Sequence, residues 1–235
     1  MNQSSVLLKI NQLCKSYENR KILENIAFEV KSGESIVLMG PSGSGKTTLF
    51  RLIIGLEMPD DGEIYLENRL VSSAKESIPP FQRNLGVVFQ NPALWPHMNV
   101  LSNILFAMQK KDTKHIHEFV DLVIDEMEIR PLLKAYPSRL SGGEARRVSI
   151  ARALASRPRL MLMDEPLTNL DTALKDRMLE MIKRVTREFE TTLIYITHDE
   201  TESRYISDKC YRLQNGTLTR IEVGNRHCLS SDKLP

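Results

Sequence analysis

Hydrophobic positions along this chain follow three different rhythms. Residues 6–10 and 26–30 alternate apolar and polar side chains, and 62–66 repeat the pattern after a turn. Such alternation predicts half-buried strands, here a small antiparallel sheet near the N-terminus. Ser35–Met39, residues 160–163 and Thr192–Thr197 are apolar almost throughout. Continuous apolar strands predict a parallel sheet covered on both faces. Each is followed by polar or glycine-rich residues and then a helical pattern, which is α/β organisation. Ile116, Phe119, Val120, Val123, Ile124 and Met127 recur at helical spacing, as do Leu174, Met178, Met181, Ile182, Val185 and Phe189. Both sets predict amphipathic helices. Asn215-Gly216 between Leu213 and Leu218 predicts a hairpin with a type I′ turn. The last dozen residues are polar, and a frayed end is expected there.

Length and charge narrow the picture. At about 150 residues per domain, 235 residues allow one large domain or two small ones. The reading here is one domain over 6–235. Its core falls at about 6–90 and 159–223, with a helical subdomain at about 91–158 and no separate C-terminal regulatory domain. Lys and Arg total 32 against 30 acids, a net charge of +2, so overall charge gives no nucleic-acid footprint. Cys14, Cys210 and Cys228 are odd in number and far apart, which argues against a disulfide framework or a structural zinc site. His115 and His117, two apart on a predicted helix, make a poor metal pair. Residues 1–5 lack the pattern of a signal peptide, and no apolar run approaches the roughly 20 residues needed to span a bilayer. Work at a membrane would require other chains to hold this one there.

Two motifs carry chemistry. Gly40-Pro41-Ser42-Gly43-Ser44-Gly45-Lys46-Thr47-Thr48 fits G-x-x-x-x-G-K-[ST] between an apolar strand and an apolar helical run at 49–56. Its glycines let backbone N–H groups turn toward phosphate oxygens, and the helix N-terminus adds partial positive charge. Lys46 is expected to reach the β- and γ-phosphates and Thr47 to ligate Mg²⁺. Further on, a buried strand ends in Asp164-Glu165. Asp164 is placed to hold Mg²⁺ through water, and Glu165 to polarise an attacking water.

Leu140-Ser141-Gly142-Gly143-Glu144 lies before the Asp-Glu pair. Ser141 and Glu144 form an S-x-x-E capping box, so a helix is expected to begin here. The box does not explain two successive glycines beside that N-terminus, which suit an anion site. The run 140–154 (LSGGEARRVSIARAL) resembles the signature region of ABC (ATP-binding cassette) ATPases. The resemblance covers roughly 6–220. It implies a P-loop NTPase (RecA-like) α/β core with a mostly parallel sheet, an N-terminal antiparallel β subdomain and an inserted helical subdomain. It also assigns Tyr17 to adenine stacking, Gln90 to a Q-loop touching Mg²⁺ or water, and 169–171 to a D-loop whose Asp171 crosses a dimer interface. His198 falls at the H-loop position that contacts the γ-phosphate. Departures are small: Glu144 is often Gln in relatives, Ala145-Arg146 is a less usual continuation, and Thr168 stands where Ser is common.

In this family ATP lies between two cassettes, the phosphate loop of one facing Ser141, Gly142 and Gly143 of the other. The resemblance therefore implies ATP and Mg²⁺ as cofactors, a homodimer or paired cassette, and hydrolysis that drives transport through polytopic membrane permease subunits. The protein would sit on the cytoplasmic face of the cell membrane, peripheral through those partners. The segment Leu94-Trp95-Pro96-His97-Met98 is similar to cassettes of bacterial importers of small solutes. It is expected to form an exposed groove for a membrane subunit, and an extracytoplasmic solute-binding protein is a further partner the likeness allows. A lipoprotein or peptide export or extraction system is the alternative. A soluble ABC ATPase acting on DNA or ribosomes is disfavoured, and no nucleic-acid partner is expected.

Overall fold

The computed structural model describes residues 5–108 and 113–222, and the side chains of 113–117 are not part of the description. The side chains of His115, Ile116 and His117, together with Cys228 and the polar end of the chain, lie outside it.

Among the described residues ten strands form two sheets. The first is four-stranded, in the order β2-β1-β4-β5, built from β1 (Val6–Tyr17), β2 (Arg20–Lys31), β4 (Asp61–Leu66) and β5 (Arg69–Ser73). All its pairings are antiparallel. The second is six-stranded, in the order β10-β9-β3-β8-β7-β6. Its members are β3 (Ser35–Met39), β6 (Leu85–Val88), β7 (Leu160–Asp164), β8 (Thr192–Thr197), β9 (Lys209–Gln214) and β10 (Thr217–Ile221). Strands β6, β7, β8, β3 and β9 run parallel, and β10 returns antiparallel beside β9. Among the described residues six α-helices complete the fold: α1 (Lys46–Ile54), α2 (Val100–Phe106), α3 (Thr113–Glu126), α4 (Gly142–Ala155), α5 (Thr172–Glu188) and α6 (Glu200–Ile206).

Strand geometry explains why β3, β7 and β8 carry no polar face. Successive side chains point to opposite sides of a sheet. Ile36, Leu38, Leu160, Leu162, Ile194 and Ile196 pack into a core shared with α1 and the antiparallel sheet. Val37, Met39, Met161, Met163, Leu193 and Tyr195 pack into a second core with residues of α2 to α6. The sheet is therefore covered on both faces, as its continuous apolar strands predict.

Several elements run further than the pattern indicates. The alternation of β1 breaks after Ile10, yet the strand continues to Tyr17. Register shifts between Ile10 and Leu13, with Gln12 at φ 46°, mark a bulge that resets which residues face inward. Leu13 is again fully buried. Strand β5 follows a turn at Glu67-Asn68, both residues in the left-handed region (φ 51° and 62°) without a glycine. The turn therefore lacks the usual compositional signal. The predicted turn at Asn215-Gly216 does form, with φ of 50° and 76° and Gln214 paired to Thr217. Helix α1 stops at Ile54, before the expected 56, because Gly55 closes it in the left-handed conformation.

A buried arginine joins the two halves of this region. Arg83 is 5% exposed. Its guanidinium donates to the carbonyls of Leu52 and Ile53 at the end of α1 (3.1 and 2.7 Å) and to those of Val71 and Ile78 (2.9 and 2.7 Å). It also reaches Ser77 Oγ at 2.8 Å. Burial pushes its pKa down to about 10, so it remains a cation at neutral pH. The charge faces the carbonyl end of the helix dipole, where a cation is favoured. A Cβ at Gly55 would meet the guanidinium at 2.4 Å, so Gly55 leaves the room it needs.

Replacing Arg83 by Leu takes the donor from the carbonyls of Ile53 and Ile78, each loss costing roughly 1–3 kcal/mol, while those of Leu52 and Val71 keep backbone partners. We expect Arg83→Leu to lower unfolding free energy by about 3 kcal/mol or more in urea titration. A change under about 1 kcal/mol would show that the guanidinium is dispensable to the fold.

Candidate functional site

Parallel register delivers four loops to one edge of the sheet. Met39 pairs with Thr197, Asp164 with Ile196, and Val88 with Met163. The segments after β3, β8, β7 and β6 therefore leave the sheet side by side, at the carboxyl ends where α/β sheets place ligand sites.

The loop after β3 is shaped around its glycines. Gly43 and Gly45 take φ of 76° and 104°, which side-chain-bearing residues rarely adopt. Gly45 is the N-cap of α1. Pro41, Ser42 and Gly43 are exposed, while Gly40 and Thr48 are half-buried. Lys46 is only 6% exposed, and its ammonium donates to the carbonyls of Gly40 (2.8 Å) and Pro41 (3.0 Å). Burial pulls its pKa down, and the charges of Glu165 and Asp164 oppose that shift. Ser44 Oγ is buried with no hydrogen-bond partner. A buried hydroxyl left unsatisfied in a loop that leads into a helix N-terminus fits a loop that closes around an anion.

Across the loop stand the two acids. Asp164 ends β7 and is 8% exposed. Thr47 Oγ1 donates to its Oδ2 at 3.4 Å. Burial, followed by the charge of Glu165, raises the Asp164 pKa. Crowded carboxylates beside a hydroxyl are a donor set that a hard cation would relieve. Among the described residues no group of three or more His, Cys, Asp or Glu side chains could hold a metal unaided. Thr47 and Asp164 are donors that a hard cation accepts when other oxygens complete its shell. Glu165 lies just beyond the strand at φ 45°, with its N–H on the carbonyl of Ile196 (2.9 Å). Thr168 Oγ1 donates to its carbonyl (3.1 Å) and lies 3.4 Å from its Oε2. His198 Nδ1 stands 3.3 Å from Glu165 Oε1.

Other predicted residues fall around this centre. Strand β6 ends at Val88, and Phe89 just beyond it is 38% exposed with its ring edge-on to Phe50. Gln90 is exposed in the following loop. Tyr17 ends β1 with its ring 41% exposed and its hydroxyl bonded to Glu57. Burial and Glu57 raise its pKa. Ser141 caps α4 in a complete capping box with Glu144. Gly142 is exposed, whereas a Cβ on Gly143 would meet Leu174 Cδ2 at 2.7 Å. Asp171 caps α5 by accepting from the N–H of Leu174 at 2.9 Å.

Sequence reasoning gave no role to the polar side chains that fix these loops. Arg146 of α4 donates to the carbonyls of Gln90 (2.9 Å) and Thr168 (2.8 Å), joining the loop after β6 to the one after β7. Arg152 holds Ala93 (2.8 Å) and Pro92 (3.2 Å). Asn103 is fully buried, accepts from the N–H of Trp95 (2.8 Å) and donates to the carbonyls of Trp95, Met98 and Asn99. In the sequence Arg146 and Arg152 read as helix surface; only a buried Asn inside an apolar run could have signalled the third.

Residues 23–168 match the ABC transporter family. The chain is 38% identical over 217 residues to the spermidine/putrescine import ATP-binding protein PotA of Marinobacter nauticus, covering 92% of this chain and 57% of that protein. It is 39% identical over 221 residues to the maltose/maltodextrin import ATP-binding protein MalK of Vibrio vulnificus, covering 93% and 58%. The dimeric post-hydrolysis structure of the ATP-binding cassette MJ0796, bound to ADP and Pi, superposes with a TM-score of 0.80 at 27% identity, covering 94% of this chain and all of that one. The chain belongs to the ABC transporter family. It spans a little under three fifths of the length of these curated relatives. Its architecture is the RecA-like P-loop core with an antiparallel β subdomain and a group of helices joined to it.

The capping box has a pH signature. The Ser141 N–H and hydroxyl both donate to Glu144 (2.7 and 2.8 Å) and hold its pKa below the usual range. A depressed carboxylate contributes stability above its unfolded pKa of about 4.3, and loses it as pH falls through the folded value. Glu144→Gln can keep the box geometry but not this titration. We expect the wild type's advantage in Tm over Glu144→Gln to be constant above about pH 5 and to shrink on acidification. A difference that does not change with pH would show that the bond is absent in solution.

Proposed function

We propose that this chain is the ATP-hydrolysing subunit of a transporter, acting as a paired cassette. The observation that carries the reading is the convergence of Lys46, Thr47, Asp164, Glu165 and His198 at one end of the parallel sheet. In this reading the loop from Gly40 to Thr48 wraps the ATP phosphates. Lys46 moves from its carbonyl partners to the β- and γ-phosphates, and Ser44 gains a partner. Thr47 and Asp164, with Gln90, hold Mg²⁺, which when bound neutralises phosphate charge. Tyr17 stacks on adenine from the end of β1.

Glu165 orients the attacking water and accepts its proton, while His198 and Lys46 stabilise charge on the γ-phosphate. Ser141, Gly142 and Gly143 complete the site of a second copy, and Asp171 lies at that interface. The exposed N-terminus of α4 suits this role, because backbone N–H groups there can meet a phosphate brought by a partner. ATP closes the pair because it makes contacts that only the closed state offers. Hydrolysis removes them.

No helix among the described residues is long and apolar enough to cross a membrane. In this reading polytopic permease subunits hold the cassette at the cytoplasmic face, as the likeness to import subunits supports. Trp95 and Phe106 present exposed aromatic surface next to the Gln90 loop, as a docking segment requires. Similarity to two import subunits favours import of a small solute, with an extracytoplasmic binding protein delivering it. Those two relatives carry different solutes in their names, so specificity belongs to the partner chains. The helices of about 91–158 act as the subdomain inserted into the core.

Glu165→Gln tests the chemistry. We expect it to bind ATP and to lose turnover by roughly 100-fold or more, accumulating as an ATP-bound dimer in size-exclusion chromatography. Turnover near that of the wild type would remove Glu165 from the mechanism.

A further inference from the structure

His198 occupies an unusual mechanical position. Its side chain is 60% exposed and stands 3.3 Å from Glu165. What surrounds its backbone is far more ordered. Thr197, the preceding residue, is buried, and its Oγ1 accepts from the N–H of Asp199 (3.0 Å) while donating to Glu202 Oε2 (2.7 Å). Glu202 is 3% exposed and also accepts from Tyr195 Oη at 2.9 Å. Its other oxygen faces Lys175 Nζ at 3.0 Å. The same ammonium holds Asp199 Oδ2 at 2.8 Å. Asp199 caps α6 through the N–H groups of Thr201 and Glu202 (2.8 and 3.3 Å).

Thr197 is thus bonded to the buried Glu202 carboxylate, Asp199 is joined to that carboxylate through Thr197 and Lys175, and one cation closes the network. That cation belongs to a different element. Lys175 sits one turn into α5, the helix capped by Asp171. A buried acid retained with its donors and counter-ion matched, bonded to the residue before His198, is an arrangement that fixes the backbone of the turn.

We propose that Lys175 is a positioning residue that acts through His198, tying the turn 197–199 to the helix that begins at Asp171. The proposal rests on the ATPase reading above. When the Asp171 helix shifts, the tie carries the shift to His198. Lysine suits this, since one ammonium with three donors serves two carboxylates from different elements. Arginine can span the same pair and is the conservative replacement.

The test combines exchange with kinetics. Hydrogen exchange on the nucleotide-free protein reads peptides covering 196–206. In Lys175→Met their protection should fall by roughly tenfold relative to wild type, while peptides from α1 stay unchanged. Steady-state ATPase of the same variant should show kcat down by about tenfold with KM within about twofold. Lys175→Arg should recover most of the loss. In a His198→Ala background, adding Lys175→Met should cost less than about twofold, because the two residues act as one unit.

Should unpairing Glu202 prevent folding, Asp199→Asn removes one of the two carboxylates on Lys175 while Asn still caps α6. It is expected to give exchange and kcat changes in the same direction and of smaller size. Unchanged exchange at 196–206, or an equal loss from Lys175→Met in both backgrounds, would overturn the proposal. A His198→Ala enzyme as fast as wild type would instead remove His198 from the reaction and overturn the kinetic part. The exchange result would still decide whether the tie exists.

Discussion

The site depends on the parallel pairing of β3 with β8 and of β8 with β7. With Met39 opposite Thr197 and Asp164 opposite Ile196, the phosphate loop, His198 and Glu165 leave the sheet at one level. A shift of one residue in any of these strands would send its apolar residues to the opposite face. The two hydrophobic cores forbid it, because Ile36, Leu38, Ile194 and Ile196 fit one and Val37, Leu193 and Tyr195 the other. Burial on both faces is thus what holds the chemistry in register. The catalytic groups themselves contribute little to that placement. Asp164 and Lys46 carry desolvation costs that the surrounding apolar packing has to offset.

Polar ties then adjust what the sheet has placed. Arg83 locks the far end of α1, the helix that carries Lys46 and Thr47. Arg146 spans the loops after β6 and β7 from a helix that begins at Ser141. Lys175 spans α5 and the turn bearing His198. In each case a cation from one element holds carbonyls or carboxylates of others. The ties of Arg146 and Lys175 end beside residues of the proposed reaction, whereas that of Arg83 acts at the other end of α1. In the proposed reaction, motion of α4 or α5, the helices that begin at Ser141 and Asp171, reaches the site through these hydrogen bonds as well as through their packing on the sheet.

Much of this was legible in the sequence, for reasons that can be given. Buried parallel strands advertise themselves, and Ser35–Met39 and Thr192–Thr197 lie where the apolar runs placed them. The phosphate loop and the capping box are short-range motifs whose geometry the local residues dictate. Strand β5 and the second half of β1 were hidden by a bulge at Gln12 and by a turn without glycine, where backbone geometry departs from the usual residue preferences. The ties through Arg83, Arg146 and Lys175 were not legible at all. A charged residue in a sequence gives no sign of which distant carbonyl it will meet, since that follows only from the assembled layers.

The central claim is that one chain supplies half of each of two nucleotide sites. Mixing two inactive variants, Lys46→Ala and Ser141→Arg, tests it directly. A mixed pair has one site in which both halves are damaged and one in which both are intact. ATPase activity of an equimolar mixture should therefore rise to roughly a quarter of wild type, since half the pairs are mixed and each has one working site. A mixture no more active than the two variants measured separately would contradict the account and leave each chain with a site of its own.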